Sequence, residues 1–263
     1  MTVRERSLRA EAIVLRHSDW SEADRLLWLY TREMGKVRAI AKGVRKMRSR
    51  KAGHLEPFTR VNVLLARGRD LFIVTQAETV NAYLSLREDL LRVGYAAYVV
   101  ELLDRFTYDN DENRSLYNLL ANTLGRIDES SDLIVAVRYY EIRLLDMLGY
   151  RPELFKCINC GKQVQPEDQF FSAIQGGALC PTCGIAVQES RPITMAALKY
   201  LRHYQRSAFS EASRARPDPA VNQEIETLVH HYLTHLLERS LNTPVFLQRL
   251  RSDYLPPSRP PQE

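Results

Sequence analysis

Along the first 80 residues, hydrophobic and polar positions alternate with the period of two that belongs to β-strands. Ala10, Ile13 and Val14 stand among polar residues in Leu8–Arg16, and Leu26, Leu27, Trp28, Leu29 and Tyr30 fill Asp24–Thr31. Lys36–Ala41 alternates cleanly, with Val37, Ala39 and Ala41 on one face against Arg38 and Ile40. Phe58–Ala66 and Leu71–Gln76 add two apolar, β-branched segments, and Gly35, Gly43, Gly53, Pro57 and Gly68 punctuate the series. Five short strands in this span predict a small barrel such as an OB-fold over residues 1–80.

After Thr79 the period changes to that of a helix. Leu84–Phe106 is apolar nearly all round from Val93 to Leu103, which predicts a buried central helix. Leu116–Arg126 and Leu133–Leu148 predict amphipathic helices, the second stopped by Gly149 with Pro152 beyond it. Thr194–Tyr204 and Ala220–Arg239 resume the helical pattern. Residues 243–263 hold five prolines and read as a flexible tail. The expected class is α+β: an N-terminal barrel, an all-α domain over 81–242, and an insertion at about 155–187.

That insertion carries all the cysteine in the chain, as Cys157-x2-Cys160 and Cys180-x2-Cys183. Two such knuckles supply a complete tetrahedral thiolate set for one Zn²⁺, provided the segment between them runs out and back. Phe170, Phe171 and the Gly176–Gly177 pair suit a hairpin. Gly161 and Gly184, each following a knuckle, are expected to take positive φ. Two disulfides would require an oxidising compartment, and the charged stretch Met1–Ala10 does not read as a secretory signal. A redox pair needs one motif only. Four thiolates leave no open position for water, so the site reads as structural.

Composition adds little and charge adds much. Apolar content of 45% and charged content of 26% are those of an ordinary globular protein, and no apolar run is long enough to span a bilayer. The net charge of +5 is unevenly spread: residues 1–80 carry 17 Lys/Arg against 9 Asp/Glu, the remainder 20 against 23. From Lys36 to Lys51 there are eight bases and no acid: Lys36, Arg38, Lys42, Arg45, Lys46, Arg48, Arg50 and Lys51. Such a run can be a plain solvated loop. Its start in a strand and its continuation into a Ser/Gly-bearing loop favour phosphate contact. Trp20, Trp28, Tyr30, Phe58 and Phe72 accompany it; most suit a barrel core, and Trp20, in the polar turn after the first strand, is best placed to be exposed. No phosphate loop, GxSxG or HExxH motif is present, and no enzymatic activity is expected. His231 and His235 lack the intervening Glu, and Asp104, Asp109, Asp111 and Glu112 read as a solvated helix end.

The order of basic barrel, helical middle and inserted knuckles resembles the RecO family of bacterial recombination mediators. Ala12-Ile-Val-Leu, Gly35-Lys-Val-Arg-Ala-Ile-Ala-Lys-Gly43, Leu55-Glu-Pro-Phe58 and Leu144-Leu-Asp-Met-Leu-Gly-Tyr-Arg-Pro152 carry the likeness, followed by Cys157-Ile-Asn-Cys-Gly161 and Gly176-Gly-Ala-Leu-Cys180. It spans about residues 8–240. The resemblance implies a cytoplasmic protein, associated with the nucleoid during repair, that binds single- and double-stranded DNA and anneals complementary strands. It further implies partnership with RecR in loading RecA onto DNA coated by single-strand-binding protein. The family's basic positions fall on Lys36, Arg38 and Lys42, with Arg45, Lys46 and Arg48 in the adjoining loop. The alternative is a zinc-stabilised adaptor whose basic loop binds an acidic protein.

Overall fold

The computed structural model describes residues 7–130 and 132–254, which form two compact units. The first takes the chain up to Ser130 and again from Asn242; the second is Ser131–Leu241. The expected boundary near residue 80 coincides with the end of the last barrel strand, but the helices that follow, as far as Ser130, belong to the barrel's unit.

Five strands close the barrel: β1 (Ser7–Trp20), β2 (Asp24–Thr31), β3 (Gly35–Ala41), β4 (Arg60–Arg67) and β5 (Phe72–Asn81), in the order β1-β2-β3-β5-β4. β1 is long enough to pair antiparallel with both β2 and β4, and a short parallel pairing of Ala39 and Ile40 with Phe72 and Ile73 completes the closure. This is an OB-like barrel. The inward positions are those of the alternation: Ala10, Ala12, Val14, Leu27, Leu29, Val37, Ala39, Ala41, Val61, Val63 and Leu65 form one buried cluster. A bulge between Val14 and Arg16 shifts the register, so that Leu15 is buried and Arg16 faces out.

The long helix expected over Leu84–Phe106 is two helices. α1 (Leu84–Glu88) ends at Asp89, whose extended backbone breaks the run and whose carboxylate accepts from the N–H groups of Leu91 and Arg92. It thereby caps α2 (Leu90–Phe106), as a favoured N-cap residue does. α2 is buried on most sides, packing against β1, α1 and α3 (Arg114–Glu129).

The flexible tail expected from residue 243 is corrected by the last described element of the chain, α9 (Thr243–Tyr254), which packs along α2. Gly94 makes room for it: a Cβ there would lie 2.8 Å from Leu247 Cδ2. Glu101 holds its start, accepting from the N–H of Asn242 (2.9 Å) and from the N–H (2.9 Å) and hydroxyl (2.6 Å) of Thr243. Proline at the second position of a helix costs it nothing, so Pro244 is no obstacle. Residues 255–263 of the expected tail lie outside the described residues.

In the second unit α4 (Leu133–Met147) ends at Gly149, with φ +82°, and Tyr150 N–H returns 2.8 Å to Leu145 O, closing the turn as a Schellman motif does. The insertion contains β6 (Gln169–Ser172), β7 (Gly177–Leu179), α5 (Pro181–Ala186) and β8 (Arg191–Ile193). β6 and β7 form the expected hairpin, and β8 joins β6 on its other side. α6 (Met195–Arg206), α7 (Phe209–Ala212) and α8 (Pro219–Leu237) complete the unit. No described helix is long and apolar enough to cross a membrane.

Candidate nucleic-acid interface and metal centre

The eight bases from Lys36 to Lys51 divide into three kinds. Lys36 lies on β3 with Arg38, on the face turned away from the barrel core. At that end the outer face is covered by the C-terminal end of α2 and the loop after it, and Lys36 is only 8% exposed. Its ammonium donates to Asp104 O (2.7 Å), Asp104 Oδ1 (3.0 Å) and Thr107 O (2.7 Å), so all three of its hydrogens are taken. The backbone joins in, with Asn110 N–H donating 2.8 Å to Lys36 O. Lys36 is a structural tie and has no donor left for a phosphate.

A second kind is paired but accessible. Arg38 lies 3.3 Å from Asp109, with half of its side chain exposed. Arg45 braces the loop: its Nη2 is 3.3 Å from Asp19, its Nη1 reaches the carbonyls of Ser21 and Glu22, and its N–H donates 3.0 Å to Ala23 O. Lys51 donates to Lys42 O (3.1 Å) and Val74 O (3.0 Å). Burial lowers its pKa against the opposing pull of Asp24. Gly43 N–H adds a 2.7 Å bond to Asp24 Oδ1. Two of the acids expected at a solvated helix end, Asp104 and Asp109, instead bind the barrel side chains Lys36 and Arg38.

The third kind is free. Lys42, Lys46, Arg48 and Arg50 are exposed and make no side-chain hydrogen bond or ion pair among the described residues. A short 3₁₀ turn, Ala52–His54, and the buried Leu55 anchor the loop's far end. Four unpaired cations on a braced loop leave positive charge exposed on this part of the barrel. Of the barrel aromatics, Tyr30 is fully buried and Trp28 lies beneath the Arg16 guanidinium, 3.5 Å from the ring centroid. Trp20, closing the β1–β2 hairpin opposite Asp24, is 49% exposed, as its position in the chain suggested.

In the second unit the chain brings the two knuckles together by backbone pairing. Ala178 N–H donates to Glu153 O (2.7 Å) and Ile158 N–H to Ala178 O (2.9 Å), which seats the first knuckle on β7. β7 then runs directly into Cys180. The four sulfur atoms lie within 4.8 Å of one another, with Cys160 Sγ and Cys180 Sγ 3.9 Å apart. Thiolates about 2.3 Å from a tetrahedral ion stand about 3.8 Å apart, so the quartet fits such an ion. Among the described residues it is the single group of this kind placed to hold a metal, and His231 and His235 are not part of one.

The thiols differ sharply in acidity. Burial pushes the Cys157 thiol up, but N–H groups of Cys160, Cys180 and Asn159 outweigh it and bring its pKa to about 6. A hydrogen bond from Asn159 lowers that of Cys183, while the crowding thiols, Cys180 foremost, raise it to about 11. Four thiolates cannot share this space near neutral pH without a cation among them. Gly161 has φ +73°, as expected. Gly184 does not take positive φ; it lies inside α5, where a Cβ would overlap the ring of Phe170. Its role is close packing of the second knuckle on the hairpin.

Comparison with known proteins divides the chain where the barrel strands end and not at Ser130. Residues 5–83 match the family model described as Recombination protein O N terminal, and residues 87–244 match Recombination protein O C terminal. The chain is 41% identical over 249 residues to the DNA repair protein RecO of Roseiflexus sp. (strain RS-1), covering 95% of this chain and 88% of that one. It is 38% identical to the protein of the same name from Pelotomaculum thermopropionicum, covering 92% and 93%. With that from Dehalococcoides mccartyi (strain CBDB1) it shares 33%, covering 92% and 96%. An OB-like barrel followed by helices and a cysteine quartet, matched over nearly its whole length, belongs to the RecO family.

Proposed function

We propose that this protein is a DNA repair and recombination mediator that binds single- and double-stranded DNA through the exposed loop of its barrel. The observation that carries the reading is the set of unpaired cations, Lys42, Lys46, Arg48 and Arg50, held on a loop braced by Arg45 and Lys51. Phosphate contacts of this kind give affinity without reading sequence, and they screen the repulsion between two strands brought together. The protein therefore anneals complementary strands. With RecR it helps to load RecA onto DNA coated by single-strand-binding protein. The lysines and arginines act by binding and neutralising phosphate, and no bond is made or broken.

Zn²⁺ is the ion that suits the cysteine quartet, because four thiolates at tetrahedral spacing match its preferences and leave no position open for water. Cys157, Cys160, Cys180 and Cys183 would hold it. When bound it supplies structural cross-linking of the two knuckles.

The test is annealing of complementary oligonucleotides, with and without a coat of single-strand-binding protein. The protein is expected to accelerate annealing in both settings. An unchanged annealing rate, with the loop instead binding an acidic protein, would favour the adaptor reading.

A further inference from the structure

Trp20 is a large apolar side chain left half in water on a surface otherwise built for phosphate. It pairs with Asp24 at the tip of the β1–β2 hairpin, where Ser21 takes a positive φ of +53° to make the turn. That tip is not independent of the basic loop. Arg45 joins the two through its N–H bond to Ala23 O, its contact with Asp19 and its reach to the carbonyls of Ser21 and Glu22; Gly43 N–H binds Asp24. Trp20 and the free cations Lys42 and Lys46 therefore belong to one braced assembly. Asp19, the acid next to Trp20, is neutralised by Arg25 (3.6 Å) and Arg45 (3.3 Å).

The second tryptophan offers a contrast. Trp28 has its face occupied by the Arg16 guanidinium, whereas Trp20 makes no ring or cation contact among the described residues. A half-exposed indole on one braced assembly with unpaired cations is the combination that single-strand-binding surfaces use: cations follow the phosphates and the ring takes a base. In a duplex the bases are already stacked and paired, so they present no face to such a ring.

We propose that Trp20 is a base-stacking residue of the barrel, taking an unpaired nucleobase of single-stranded DNA and giving this surface a preference for single strands over duplex. The proposal rests on the reading of the loop as a DNA-binding surface. It assigns Trp20 a contribution that salt does not screen, unlike that of the lysines.

The experiment measures fluorescence anisotropy of three labelled DNAs of equal length: an oligo-dT strand, a strand of abasic sites, and a duplex. Wild-type protein is expected to bind the dT strand roughly tenfold more tightly than the abasic strand, the effect of one stacked base. Trp20→Ala is expected to lose that roughly tenfold on dT while keeping its affinity for the abasic strand and the duplex, with an unchanged salt slope. Trp20→Phe, which keeps a ring, is expected to retain most of the difference. Equal losses on dT and abasic strands would mean that Trp20 only holds the hairpin, and would overturn the proposal. So would unchanged dT binding by Trp20→Ala. Wild-type protein that binds none of the three DNAs would overturn the loop reading itself, an outcome distinct from either.

Discussion

Lys36 and Lys42 lie six residues apart in one acid-free segment, yet their surroundings give them different chemistry. Lys36 has its three ammonium hydrogens bound within the protein, and Lys42 has an exposed ammonium with no partner among the described residues. Replacing Lys36 by Met should therefore cost stability, about 2–3 kcal/mol for charge-assisted bonds of this kind, while leaving the salt dependence of DNA binding as it is. Thermal melting and a salt titration of the same variant check both halves. The alternation along β3 was legible in the sequence, and in the structure Lys36 shares the outer face with Arg38. What parity cannot convey is what lies over that face, and here it is the end of α2, with Asp104 and Thr107, some 70 positions along the chain. The cysteine quartet was legible for the opposite reason, since its spacings are short and lie within one insertion. Gly184 was misread because a glycine after a knuckle serves either positive φ or close packing, and only the position of Phe170 decides which.

Among elements, α9 shows how a helix is made by its partner. Its composition reads as a tail, and it extends past residue 244, where the match to the family model ends. It forms because Gly94 on α2 admits Leu247 and because Glu101 caps its first turn. Burial raises the Glu101 pKa, but the Thr243 hydroxyl, the two backbone N–H groups and Arg105 more than offset it, so the carboxyl ends below its usual value. A depressed folded-state pKa contributes stability above the unfolded value and loses it as pH falls through the folded one. Glu101→Gln should thus melt earlier than wild type at neutral pH, with the gap closing below the ordinary carboxylate range. Melting curves from neutral to acid pH measure it, and a gap that stays constant would contradict the capping role. The two cysteine knuckles form an element of another kind, with four thiols placed to hold a metal ion. Cys157→Ser should lower bound metal below one per chain and reduce the melting temperature, as should chelation of the wild type. Stoichiometric metal in that variant would contradict the ligand set. Strands β1–β5 were legible because alternation is a local signal, β2 to the residue, whereas β1 runs on to Trp20 and β5 to Asn81, beyond the segments the pattern marks. The break at Asp89 and the three-residue β8 were not: the first competes with a continuous apolar run, and the second exists only by pairing with β6.

On the scale of the whole molecule, the charge asymmetry and the cysteine quartet belong to different compact units. The net positive charge belongs to residues 1–80, within the unit that contains the barrel, and the cysteine quartet lies in Ser131–Leu241. The proposed binding of DNA by the loop and of metal by the quartet should therefore respond to different substitutions. If the free cations of the barrel loop hold phosphate, as proposed, counterion release sets the salt dependence of binding. Each phosphate contact to a single strand contributes about −0.7 to the slope of log affinity against log salt. Oligo-dT binding by wild type and by the Lys42→Ala/Lys46→Ala/Arg48→Ala variant, titrated with salt, is the most direct measurement. The variant is expected to bind more weakly at low salt, with a slope shallower by about 2, the sum of three lost contacts. A variant that binds as tightly as wild type, with the same slope, would contradict the proposal.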